Sequence, residues 1–380
     1  MAVGILCREE VETELIPAPP GRHRIHRPSG SSIAAGLSAV DLPLGNKYWV
    51  MRGSCRSGPD LNVSDLHRLY AQGEPREKEL VHGTVLEKQK VYLIQLDCGV
   101  DLSETRIRGK STGRSSIGRL DVLVRLLADV SGSYEFDVLP ENARGDLYVE
   151  VAPMSFGLEV NQGTCLSQLR LYRGPEDLFT LTMDELAYEE PFPVVNRHGE
   201  PQRQGCEHRE RETTFPFCLD LSPDPEHECS AFVAKENPPA AVDPDKKDHY
   251  DPKDFWEPVR LKPGDPLDLR TNRLYILRSK ERLHLQGNLA VECQTYTETL
   301  GEWRIEYAGF AHPWFGSTRE EGTPIIFEVR GHNIPTILRD GLQLGKVMFR
   351  RMSRVTQSSD ENPQYEKQEL KLSSCFKPWA

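Results

Sequence analysis

Ten consecutive residues, Lys110 to Arg119 (KSTGRSSIGR), concentrate what a polyphosphate needs. Lys110, Arg114 and Arg119 supply positive charge, Ser111, Ser115 and Ser116 supply hydroxyl donors, and two glycines free backbone amides to point at an anion. The order is not the GxxxxGK[ST] pattern and no helix clearly follows, so any phosphate here is expected in a turn. The other candidate chemistry is acidic. Glu150 and Glu328 each stand alone in an apolar run, LYVEV and IIFEV. A lone strand glutamate ordinarily faces solvent. The same glutamate recurring in two matching apolar settings points to function instead. A carboxylate partly desolvated between strands has a raised pKa and suits proton shuttling near neutrality.

The recurrence belongs to a longer repeat. Residues 147–174 fall without a gap on residues 325–352, an offset of 178 that carries Glu150 onto Glu328 and Gly163 onto Gly341. Each copy reads as a strand with one carboxylate, a polar turn, a second strand, a glycine turn and a third strand. Upstream, residues 91–119 match residues 274–302 at an offset of 183. The copies differ where chemistry is at stake. Arg114 becomes Thr297 and Arg119 becomes Glu302, so the second copy has lost its cations. It has gained Tyr307–Gly316 (YAGFAHPWFG), an aromatic, glycine-rich hairpin suited to stacking a ring and offering backbone hydrogen bonds to its edge. One half keeps phosphate-side groups and the other base-side groups, as if two lobes built one composite site.

The elements that must position these residues are mostly strands: short Val, Tyr, Leu and Ile runs separated by turns. Helices are expected only in short pieces, including residues 5–15 and Asn62–Gln72. Ser38–Trp49 (SAVDLPLGNKYW) reads as a strand with a Pro-Leu-Gly turn, with Asp41 as its one acid. The predicted organisation is a first lobe over residues 1–194, a connecting segment over 195–258 that docks back through Phe255 and Trp256, and a second lobe over 259–380. Arg22, His23, Arg24, His26 and Arg27 read as a solvated basic loop. The tail is polar and then ends in Phe376 and Trp379, as if anchored there and able to fold over a site.

Whole-chain properties exclude several classes. A net charge of −11 over 380 residues argues against sequence-independent nucleic-acid binding. There is no signal peptide and no long apolar span, so a cytoplasmic protein off the membrane is expected. Nine scattered cysteines without CxxC pairs read as reduced thiols. His198-Gly199-Glu200 matches half of the zinc-deaminase signature, but no P-C-x-x-C accompanies it. His198, Cys206, His208, Cys218, His227 and Cys229 could supply zinc ligands, at spacings that fit no compact knuckle.

RSSIGR, YAGF, the strand glutamate before the turn DGLQLG, and the tail YEKQELKLS together resemble the 2′-deoxycytidine 5′-triphosphate (dCTP) deaminases of the dUTPase-like superfamily. The duplication resembles their double-length bacterial form, and the likeness covers nearly the whole chain. It implies a mainly β fold of tandem distorted β-barrel lobes with a few short helices, assembled as a homo-oligomer with trimer-like packing of the lobes. It implies hydrolysis of dCTP to dUTP and ammonia, supplying dUTP for thymidylate synthesis, with Mg²⁺ carried on the triphosphate and no zinc. Feedback by dTTP stays open. By the same resemblance Glu328, or its twin Glu150, is the catalytic glutamate. Ser115 and Arg119 hold the water and base-side groups, and Arg114, Ser116 and Lys110 the phosphates. Ala308 and Phe310 belong to the base-contacting hairpin, and Tyr365 and Gln368 to a tail that closes on the nucleotide. Two stretches differ from the family pattern: His312-Pro313-Trp314 stands in place of Asp-Pro-Gly, and Glu369-Leu370 in place of Gly-Leu. Asp41 resembles a water-positioning residue of dUTP pyrophosphatases, which leaves a bifunctional enzyme as the alternative, beside a non-catalytic nucleotide binder.

Overall fold

The computed structural model describes residues 2–16, 25–26, 33, 35–130, 132–207, 209–294, 303–306, 309–357 and 368–379. Two compact units divide the chain. The N-terminal unit is Met1–Pro175 with Ala240–Asp245, and the C-terminal unit is Glu176–Pro239 with Lys246–Ala380. Both are built mainly of antiparallel strands, as the turn-punctuated apolar runs predict.

In the N-terminal unit the main sheet runs Val138–Leu139, Ile107–Gly113, Cys165–Arg173, Val40–Met51, Val91–Asp101, Arg144–Pro153, Val122–Ala128. In the C-terminal unit Leu274–Leu283 takes the place of Val91–Asp101, and Gln343–Arg351 that of Cys165–Arg173. Both replacements start at the offsets of the sequence repeat. The glutamate strands obey the same rule: Arg144–Pro153 lies between Val91–Asp101 and Val122–Ala128, and Thr323–Gly331 between Leu274–Leu283 and Trp303–Glu306. The glycine turn that ends each copy has a steric reason. Gly163 and Gly341 have φ of 91° and 77°, a region that a Cβ penalises.

The glutamate strand is buried on both faces, which is why it reads as an apolar run. Leu147, Val149 and Val151 point one way into the core. Tyr148 and Glu150 point the other, where Trp49, Met51, Val63, Leu66 and Leu127 form a second cluster. The helix Val63–Tyr70, entered through Asn62, covers that cluster.

Several local expectations change. Pro43-Leu44-Gly45 makes no turn: Val40–Met51 is one continuous strand, and the irregularity is a register shift against Val91–Asp101 between Leu44 and Tyr48. A Cβ at Gly45 would stand 2.7 Å from the Gln95 carbonyl oxygen, so the glycine serves close strand approach. A single helical turn, Ser115–Gly118, does follow the cationic stretch, with Arg114 as its N-cap. The units divide at Pro175, not near 194. Most of residues 195–258 is fold and not connection: Phe215–Asp220, Ala231–Ala234 and Trp256–Val259 are strands of the C-terminal unit. Only Ala240–Asp245 belongs to the N-terminal unit, where Val242 bridges Leu158 and the Thr164 hydroxyl donates to Asp245. Phe255 and Trp256 are buried, as expected of a docking pair.

Candidate active site

The phosphate-side residues all lie in the N-terminal unit. Lys110 is half-buried on Ile107–Gly113, opposite Arg170 and Val138. Ser111, by contrast, is buried and donates its hydroxyl to the Gln168 carbonyl, so it is spent on the sheet. Arg114, Ser115 and Ser116 are partly exposed at the start of the single helical turn, and Arg119 is buried at its end. Arg114 donates to the Cys165 carbonyl at 3.3 Å and stands 3.6 Å from Asp41. Partial burial pushes the Asp41 carboxyl up, and the Arg114 guanidinium pulls it back.

Glu150 sits on the Trp49 face of its strand, 3% exposed. Its two oxygens are both occupied: Ser54 Oγ donates to Oε1 at 2.6 Å and the Cys55 backbone amide to Oε2 at 3.0 Å. Its partner across the sheet is Arg125, which pairs with the buried Asp137 at 2.9 Å. Burial raises the Glu150 pKa against the two hydrogen bonds and Arg125, all of which lower it. Burial likewise pushes Asp137 up. None of Ser54, Cys55, Arg125 or Asp137 stands out in the sequence. They are brought to Glu150 by the loop after Val40–Met51 and by strand register, and neither has a local sequence signature.

Glu328, Phe310 and Gln368 lie in the C-terminal unit. Glu328 is 4% exposed and faces Ile276 on one neighbouring strand and Glu306 on the other, so the Arg125 position is not cationic in this copy. The Cys293 thiol is close by. Burial, then the carboxylates of Glu328 and Glu292, push it up to about 12, so it stays protonated. Phe310 is buried and meets the His312 ring edge-on at 5.1 Å. Trp314 has φ of 69° and donates from Nε1 to the Thr356 carbonyl oxygen at 3.2 Å. The tail is anchored. Gln368 Nε2 donates to the Pro324 carbonyl at 3.3 Å, and Phe376 packs on Tyr250, Phe255 and Trp256. Ala308, Tyr365, Thr297, Glu302 and His208 lie outside the described residues. Of the basic loop only His26 is described.

Two models of one protein family cover this architecture. The N-terminal domain of 2′-deoxycytidine 5′-triphosphate deaminase matches residues 31–175, and its C-terminal domain matches residues 197–376. The chain belongs to the dCTP deaminase family. The C-terminal match takes in most of the stretch expected to be a connection, in agreement with the strands found there. A solved dCTP deaminase from Agrobacterium tumefaciens is 28% identical, superposes with a TM-score of 0.80, and is matched over 94% of this chain and 100% of its own. No curated protein sequence matches. The family makes the chain an enzyme that acts on dCTP, as the repeat and RSSIGR motif led us to expect. Among the described residues no three His, Cys, Asp or Glu side chains gather as a metal site. No helix among them is long and apolar enough to cross a membrane.

Proposed function

We propose that the chain deaminates dCTP hydrolytically with Glu328 as the proton-shuttling base, without zinc, and delivers dUTP for thymidylate synthesis. The observation that supports Glu328 over Glu150 is the state of the twin. Both oxygens of Glu150 are already held by Ser54 and Cys55 of its own unit, with Arg125 across the sheet. A base that must take a proton from water and hand it on is poorly served by a carboxylate so engaged.

In this reading Glu328 accepts a proton as water attacks C4, delivers it to N3, and assists the departure of ammonia. Ser115 and Arg119 steady the water and the charge that develops. Arg119 is suited to this by burial, since a guanidinium out of bulk water acts at lower effective dielectric. Arg114, Ser116 and Lys110 face the phosphates, and Mg²⁺ arrives as part of the substrate, bound to the triphosphate. Ala308 and Phe310 contact the base, and Tyr365 and Gln368 close over the nucleotide. The working form is a homo-oligomer in the cytoplasm.

Kinetics of Glu328→Gln and Glu150→Gln on dCTP test the assignment. Glu328→Gln is expected to lower kcat roughly 10³-fold or more while nucleotide binding stays within about threefold. Glu150→Gln is expected to retain turnover. The reverse pattern would hand the role to Glu150.

A further inference from the structure

The tail departs from its family pattern at Glu369, and the structure shows where that carboxylate goes. Arg282 grips it with two hydrogen bonds, Nη2 to Oε1 at 2.5 Å and Nη1 to Oε2 at 3.2 Å. Arg319 Nη1 reaches Oε1 at 3.4 Å, and Arg278 Nη1 stands 3.5 Å from Oε2. Three cations thus converge on one tail carboxylate.

The arginines are themselves fixed. Arg282 also donates from Nε to the Glu321 carbonyl at 2.8 Å. Arg278 is held by Asp220 at 3.0 Å and Asp224 at 2.8 Å, and Arg319 by Glu321. A register irregularity between Arg278 and Arg282 on their shared strand marks the place. The residues beside Glu369 are also held: the Leu370 amide donates to Asp224 at 2.8 Å and Gln368 to the Pro324 carbonyl at 3.3 Å. The side chains of Glu369, Arg278 and Arg282 are 12%, 6% and 9% exposed, so salt screens this pairing little.

We propose that Glu369 is a positioning residue for dCTP binding: its clamp on Arg282 fixes the tail immediately after Gln368, and so sets where the tail starts across the nucleotide. The proposal rests on the reading of Tyr365 and Gln368 as nucleotide-closing residues. Glu369 performs no proton transfer. A fixed tail adds contacts shared by bound substrate and transition state, so its loss appears in KM and not in kcat.

The test is steady-state kinetics on dCTP for the full-length wild type, Glu369→Gln, Glu369→Asp and Arg319→Gln, alongside trypsin cleavage at the tail lysines Lys367 and Lys371. Glu369→Gln is expected to raise KM about tenfold with kcat within about twofold, and to speed tail cleavage. Glu369→Asp restores most of the KM because it keeps the charge. Arg319→Gln, at the more exposed side of the cluster, gives a smaller rise without leaving a deeply buried charge unpaired, so it reports even where Glu369→Gln folds poorly. An unchanged KM in folded Glu369→Gln overturns the proposal, as does a fall in kcat at constant KM. If the wild type leaves dCTP unchanged, the proposed activity fails by itself. The clamp is then judged by trypsin, and equal tail cleavage in wild type and Glu369→Gln overturns it.

Discussion

Glu150 and Glu328 show how one residue type acquires two characters from its surroundings. Both occupy the same place in the repeat, on an inner strand, 3% and 4% exposed. Glu150 is a buried carboxylate with its hydrogen bonds supplied, and its pKa is raised because burial outweighs Ser54, Cys55 and Arg125. The sign of the resulting linkage is fixed. A carboxyl whose native pKa lies above its unfolded value of about 4.3 binds protons more tightly when folded, so its contribution to stability is full at low pH. That contribution is lost as pH rises from the unfolded value through the native one. Wild type should therefore gain stability relative to Glu150→Gln as pH falls from 8 to about 5, read from melting temperatures of both proteins across that range. A constant difference, or one that shrinks on acidification, would show that burial does not control this group. Glu150 as a polar strand residue in an apolar run was legible in the sequence. The donors that saturate it were not, because Ser54 and Cys55 lie about a hundred positions away and only the folded loop brings them near.

At the scale of elements, the duplicated strand–turn–strand unit was the most legible feature, because the repeat fixes period and turn position together. Cys165–Arg173 and Gln343–Arg351 begin at the expected offset, and Gly163 and Gly341 occupy equivalent left-handed turns. The misread element was residues 195–258. Phe215, Phe217 and Leu219 alternate into the core, but Pro216 interrupts the strand signal and the flanking acids and prolines resemble a linker. The hairpin of the C-terminal unit carries its own test. Trp314 holds φ of 69°, where glycine would be relaxed, yet its indole donates to Thr356 and lies against Gly287. Relief of backbone strain in Trp314→Gly is worth about 1–2 kcal/mol, whereas losing a packed indole costs about 3–5 kcal/mol in a full core. Half-burial reduces that cost, so a net loss of roughly 1–3 kcal/mol is expected from denaturant midpoints. A variant as stable as wild type would mean that the indole holds nothing that matters to the hairpin.

For the whole molecule, two related units have kept different chemistry. The N-terminal unit holds the cations of RSSIGR and a glutamate engaged by its own loop, and the C-terminal unit holds Glu328, the aromatic hairpin and the clamped tail. Family membership and the dCTP deaminase likeness account for the division into an N-terminal and a C-terminal domain. The central claim is chemical: water replaces the amino group at C4 of dCTP and the triphosphate is left intact. The most direct measurement is incubation of the purified full-length protein with dCTP and Mg²⁺, with nucleotides resolved by chromatography and ammonia assayed in parallel. The account predicts dUTP and ammonia in equal amounts. Recovery of unchanged dCTP would contradict it, and dUMP with pyrophosphate would show that the chain also cleaves the phosphate chain.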